Sequence, residues 1–292
     1  MHQKEYQIIT DATSDLPAKL AEEYGLVVIP MQVEQGGVDY LFGPVGAELQ
    51  PKAFYQNVRA GQHATTSQVN SYTFVDAFTP FLEKGIDVLY IGFSSALSGT
   101  FQASTLAAEE LRPRFPERRI VCIDSLAACL GEGLLVCTAA KKQREGMGFD
   151  EVCAFVEENK LKLCHWFTVD DLMHLKRGGR LSATSAILGT ALKIKPVMHV
   201  DDEGRLVLSS KVQGRKHSLK ALVKQMESTF LPDMSDAVMI GHGDAIEDAL
   251  LVKGLIEEQF GVKDILIDYI GPVIGAHSGP GTIALFFFGT KR

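Results

Sequence analysis

Little in this sequence offers covalent cross-links, bulk positive charge or a membrane span. The five cysteines, Cys122, Cys129, Cys137, Cys153 and Cys164, form no Cys-x-x-Cys pair and leave one unpaired under any complete pairing. That speaks against a disulfide framework or a structural zinc site, and buried thiols in a reducing compartment are expected. A net charge of −7 disfavours nucleic acid or an anionic membrane as the main partner. The opening MHQKEYQIIT is too short and polar before its first strand to read as a secretory signal. Near the end, IALFFF (Ile283–Phe288) is far below the ~20 residues of a spanning helix and reads as a core strand. Nucleotide loops are missing too. No Gly-x-x-x-x-Gly-Lys-Ser/Thr stretch exists, and neither GAHSGPG nor RAGQHATTSQ has dinucleotide-binding spacing after a strand. A cytoplasmic protein without metal or nucleotide cofactor is the expectation.

What is present is a long alternation of short β-branched runs and helical stretches. YQIIT, LPAKLAEEY and LVVIPMQV are followed by DVLYIGF, GTFQASTLAAEELR, RIVCID and LAACLGEGLLVCTAAKKQRE. Strands separated by helices of this length argue for crossovers and a largely parallel sheet. From about Leu163 the texture changes: LCHWFTV, KPVMHV, the turn Asp202-Glu203-Gly204 and LVLSSKVQG suggest antiparallel pairing. A helix from about Lys216 to Phe230 and further strands complete the chain. The expected fold is α/β with two domains, residues 1–160 and 161–292. The first has a largely parallel sheet, the second a mixed one, and the loop 61–72 packs towards the second.

The segment IGFSSALSGTFQ joins a buried strand, expected to end near Phe93, to a helix opening at Gly99 or Thr100. In open parallel sheets, ligands bind beyond the carboxyl ends of the strands. Ser94, Ser95 and Ser98 lie there. Ser98 can cap the helix, and the same geometry offers hydroxyls and free N–H groups to an anion; the two roles are compatible. With no nucleotide loop, a carboxylate is the anion left open. Two other stretches share this character. ATTSQ (Ala64–Gln68) reads as a hydroxyl-rich loop, and GAHSGPG (Gly275–Gly281) sets His277 in a glycine-rich turn before the last strand.

Taken in order, ITDATSDLP, TSQ, SSALSGTFQ, FTVDDLMHLKRGGRLS, IKPVMHVDDEG, KVQGRK, GHGDA and IGPVIGAHSGPGT resemble the DegV family of bacterial fatty-acid-binding proteins, from Tyr6 to Phe288. The resemblance implies one long-chain fatty acid, of palmitate, stearate or oleate type, held between the two domains. It also implies a carboxylate bound by Thr66, a serine (Ser98, with Ser95 next) and His277. Arg180 matches a family arginine near the head group, the alternative being a role at the domain interface; Ser94 and Gly99 are further candidates there. Phe93, Leu97, Phe101, Leu188 and Ile274 are candidate tail-lining residues. An acyl tail of about sixteen carbons would gain on the order of 10 kcal/mol gross on leaving water, offset by the costs of association. The hydroxyls then orient the head and offset its desolvation.

The resemblance further implies a substrate-presenting protein rather than an enzyme. Its partner would be a separate ATP-dependent fatty acid kinase subunit that makes an acyl phosphate for phospholipid synthesis, with at most transient contact with a membrane surface. Arg215 and Lys216 are candidate docking residues. Gln213 stands where many family members carry a basic residue, and Val69 where proline is common. Two rival readings remain: a carrier or sensor without a kinase, and a metal or acid-base enzyme using Asp11, Asp124, His242 and Asp244, which fall at or near expected strand ends.

Overall fold

The computed structural model describes residues 6–44, 46–181, 194–232, 234 and 237–292. Four strands, β1 (Tyr6–Asp11), β2 (Val27–Ile29), β6 (Asp87–Gly92) and β7 (Ile120–Asp124), form an all-parallel sheet in the order β2-β1-β6-β7. Helix α1 (Ala18–Tyr24) carries the chain from β1 to β2, and α4 (Thr100–Leu111) from β6 to β7. The crossovers therefore diverge from the β1/β6 pair. Between the carboxyl ends of those two strands lies the crevice where doubly wound sheets bind ligands.

A small antiparallel sheet stands beside it: β4 (Val38–Phe42), β3 (Met31–Gln35) and β5 (Ala64–Thr66), in the order β4-β3-β5. It corrects two expectations. LVVIPMQV is two strands, because Pro30 has no N–H to give a ladder and the chain leaves one sheet for the other there. ATTSQ is not simply a loop: Ala64–Thr66 pairs with β3, Val33 lying opposite Thr66. Gly36 and Gly37, at φ 64° and 80°, make the two-residue turn between β3 and β4. Helices α2 (Pro51–Arg59) and α3 (Ser71–Leu82) flank β5 in sequence.

The remaining strands make a six-stranded mixed sheet in the order β10-β9-β8-β13-β11-β12. They are β8 (Leu163–Thr168), β9 (Ile194–Val200), β10 (Leu206–Gln213), β11 (Val238–His242), β12 (Ile265–Tyr269) and β13 (Ile283–Phe288). β9 and β10 are an antiparallel hairpin around Asp202–Gly204, as the sequence indicates. The expected 216–230 helix is broken at Gln225 into α8 (Arg215–Lys224) and α9 (Met226–Thr229), and α10 (Ile246–Phe260) links β11 to β12. Helix α11 (Pro272–Ser278) stands where the sequence suggested a glycine-rich turn. It opens on Pro272, whose missing N–H costs nothing at a first helical position, and stops at Gly279 with φ 78°.

Helix α5 (Cys129–Arg144) lies between the parallel and mixed sheets, with α6 (Phe149–Asn159) following it. From Cys129 to Cys137 every residue of α5 is buried, the pattern of a helix packed on all sides. One continuous core therefore runs from Ile8 and Leu89 through Leu134 to Phe167, Met198 and Phe286. The short 3-10 turn Lys160–Lys162 joins the segments that build the two larger sheets.

Candidate functional site

A cavity of about 340 Å³ opens where the β1 and β6 carboxyl ends face the mixed sheet and α11. Its size is within the ~300–1,000 Å³ usual for small-molecule sites. Most of its wall is apolar, with Met31, Phe93, Leu97, Phe167, Ile274 and Phe286 among the lining residues. Helix α11 shows how polarity is distributed. Val273 and Ile274 line the cavity from its first turn, His277 and Ser278 from its last. Four residues of helix rise separate the greasy from the polar contact, ~6 Å along the axis.

At the polar end the structure brings Thr66, Ser98, Arg180 and His277 into one lining. Thr66 Oγ1 and His277 Nε2 share a hydrogen bond of 2.8 Å across 211 residues of sequence. Burial, and then the nearby Arg180 charge, lower the His277 pKa to about 4. The ring is therefore neutral at pH 7, and its Nδ1 is buried without a partner. Ser98 Oγ accepts the Thr100 N–H at 3.2 Å and sits 3.0 Å from Thr100 Oγ1; the cap position of α4 is Gly99, so Ser98 closes a local turn ahead of the helix instead of capping it, and it lines the cavity. Arg180 Nε donates to the Leu97 carbonyl at 3.0 Å, tying the segment after α7 (Met173–Arg177) to the Ser98 loop. It thus lines the cavity and bridges the two halves.

The other candidates fall elsewhere. Ser94 is fully buried and its hydroxyl donates to the Gly204 carbonyl at 2.9 Å, so it pins the β9–β10 turn instead of facing the cavity. Ser95 is exposed outside the lining, its N–H donated to Asp124. Gly99 and Phe101 also lie outside the lining, Phe101 packing in the core on the other face of the parallel sheet. Leu188 lies outside the described residues. Arg215 is engaged internally: Nε donates to Asp248 at 2.8 Å and Nη2 to the Gly281 carbonyl at 2.5 Å. Lys216 follows it on α8, and neither lines the cavity.

The four residues of the enzyme reading do not converge. Asp11 is buried under Thr13 and Tyr90, Asp124 accepts backbone N–H groups, His242 packs against Tyr269 at 4.4 Å, and Asp244 pairs with Arg59 at 3.2 Å. Among the described residues, no three His, Cys, Asp or Glu side chains are grouped to hold a metal ion.

Several lining residues are not singled out in the sequence: Gln68, Thr13 and Ser278, which lie within the quoted motifs, and Cys129 and His165. His165 Nε2 accepts the Ala128 N–H at 3.3 Å, which leaves Nδ1 to donate to the Leu163 carbonyl at 3.1 Å. Burial holds its pKa well below the usual imidazole value, so the cavity wall stays uncharged there. Beneath the floor, the single Thr13 hydroxyl proton faces both Asp11 Oδ1 at 2.5 Å and Glu132 Oε2 at 2.8 Å. One proton cannot serve two carboxylates. Burial, and then the Asp11 charge, raise Glu132 well above the carboxyl range and supply the second proton. Asp15, hydrogen-bonded to Cys129 Sγ at 3.0 Å and to the Gly271 N–H at 3.0 Å, is likewise pushed up by burial, to about 8.

Fold and cavity define an α/β protein with a mostly apolar pocket set between a parallel and a mixed sheet, its polar end lined by Thr66, Ser98, His277 and the charged Arg180. The chain belongs to the DegV family: the family's sequence profile, described as uncharacterised protein of the DegV family, matches residues 5–290. A DegV domain-containing protein of Clostridium perfringens is 46% identical over 289 residues, 99% of either chain. Among solved structures, a Thermus thermophilus DegV family protein described as fatty acid binding superposes with a TM-score of 0.83 at 31% identity, covering 98% of this chain and 99% of that one. The Bacillus subtilis DegV, described as a fatty acid binding protein, gives 0.83 at 27% identity, covering 98% and 100%. Among the described residues, no helix is long and apolar enough to cross a membrane.

Proposed function

We propose that this protein binds one long-chain fatty acid, of palmitate, stearate or oleate type, in the cavity between residues 1–160 and 161–292. The tail lies among Phe93, Leu97 and Ile274, and the carboxylate meets Thr66, Ser98 and His277. The observation that carries this reading is the Thr66–His277 hydrogen bond at the polar end of an otherwise apolar cavity. Thr66, Ser98 and the neutral His277 orient the carboxylate by hydrogen bonds, and Arg180 at the same end adds a positive charge that offsets its desolvation. The fatty acids bound by the Thermus thermophilus and Bacillus subtilis relatives support the same reading.

In this account the protein presents the acid and performs no chemistry of its own. A separate ATP-dependent kinase subunit phosphorylates the carboxylate, feeding phospholipid synthesis in the cytoplasm. Arg215 favours a second reading, a carrier without kinase coupling through this segment, because its guanidinium is held by Asp248 and the Gly281 carbonyl. Native mass spectrometry of protein purified from cells, with identification of the extracted lipid, tests the binding. One long-chain acid per chain is expected; bare protein and no extractable acid would refute it. Adding a family kinase subunit and ATP to the loaded protein separates the two readings, since a pure carrier yields no acyl phosphate.

A further inference from the structure

Gln68 lies two residues beyond Thr66, lines the cavity and is exposed on its outer side. Among the described residues its carboxamide has no hydrogen-bond partner. The group is nevertheless seated. A Cβ added at Gly99 would fall 2.3 Å from Gln68 Oε1 and 3.3 Å from Nε2, so the carboxamide occupies the space that the missing Gly99 side chain leaves. The two loops are stitched together beside it: the Val69 N–H donates to Thr100 Oγ1 at 3.3 Å, and that oxygen is 3.0 Å from Ser98 Oγ. Gln68 therefore belongs to the same end of the cavity as Thr66 and Ser98, and on its solvent side.

A carboxylate has about four acceptor positions on two oxygens. Donors rooted in the walls reach the inward positions, and the outward ones face the mouth. We propose that Gln68 is the outer lip of the head-group site: its carboxamide N–H donates to the ligand oxygen facing the mouth, and Gly99 is glycine because that seat must stay open. The proposal rests on the fatty-acid reading. It makes Gln68 a positioning residue that slows escape of the acid and leaves the tail contacts untouched.

The test compares palmitate with hexadecanol, which shares the tail but has a one-oxygen, uncharged head. Affinities and dissociation rates are measured on wild-type protein and on the Gln68→Ala, Gln68→Glu and Gly99→Ala variants. Gln68→Ala is expected to weaken palmitate by about tenfold, mainly through faster dissociation, and to leave hexadecanol within about twofold. Gln68→Glu sets a carboxylate against the ligand's own, so its loss exceeds that of Gln68→Ala at pH 8 and shrinks relative to wild type at pH 5. Gly99→Ala displaces the carboxamide and reproduces the palmitate loss, with no further loss when combined with Gln68→Ala. Unchanged palmitate binding in Gln68→Ala and Gln68→Glu, or equal losses for acid and alcohol, would overturn the proposal. Wild-type protein that takes up no palmitate would instead refute the fatty-acid reading beneath it.

Discussion

His277 is neutral at pH 7 because its environment is dry and because Arg180 is close, burial being the larger cause. A carboxylate arriving at its ring reverses the second influence, so binding should raise its pKa. Histidine NMR titration checks this: a pKa near 4 is expected without ligand and a higher one with palmitate, while an unmoved resonance would place the head elsewhere. The same depression has a stability consequence. The neutral ring contributes stability that is complete above the unfolded value near ~6.5 and is lost as pH falls towards the folded one. Asp15 has the opposite sign. Raised from 3.8 to about 8, it contributes stability that is complete below the unfolded value and lost as pH rises through the folded one. Asp15→Asn should therefore raise the melting temperature at pH 9 relative to wild type, raise it less at pH 5, and change it little at pH 3. Thr66→Ala and His277→Ala should each weaken palmitate by about tenfold without unfolding the chain, as isothermal titration and circular dichroism will report. Unchanged affinity in both would remove them from the head-group site.

Helix α5 shows how an element sets the shape of the site. Its Gly131 packs so closely under the mixed sheet that an added Cβ would lie 2.3 Å from His165 Nε2 and 2.8 Å from Phe286 Cδ1. Both neighbours line the cavity. Gly131→Ala should cost about 1–3 kcal/mol of unfolding free energy through overpacking, and should weaken palmitate as well; denaturant melts and binding read the two effects separately. At this scale the sequence was legible where period and turn chemistry were strong. The buried DVLYIGF strand, the α4 start and the Asp202–Gly204 hairpin all follow from such signals. It was least legible in short elements. A three-residue strand such as β5 has no alternation to read, and its pairing with β3 is decided by tertiary contacts. Helix α11 is seven residues with an internal glycine, so propensity argued for a turn although Pro272 and Gly279 marked both ends. Of the three serines at positions 94, 95 and 98, only Ser98 lines the cavity. The difference from Ser94 is one of direction around a tight loop, which residue type does not encode.

Across the whole molecule, the cavity exists because two sheets share one core yet leave their strand ends facing each other. Thr66 comes from the small antiparallel sheet, Ser98 from the parallel one and His277 from a helix feeding the mixed sheet, so no single segment contains the site. Sequence motifs named these members, but that their side chains meet, and that Gln68 joins them at the mouth, depends on long-range packing. The central claim is that hydrocarbon fills this cavity with its acidic end at the Thr66–His277 pair. A crystal structure of palmitate-loaded protein tests it most directly. The account predicts one continuous tail of density in the 340 Å³ cavity, ending within hydrogen-bond distance of Thr66 Oγ1 and His277 Nε2. Density for the acid at another place, or a cavity holding only water in protein shown to be loaded, would contradict it.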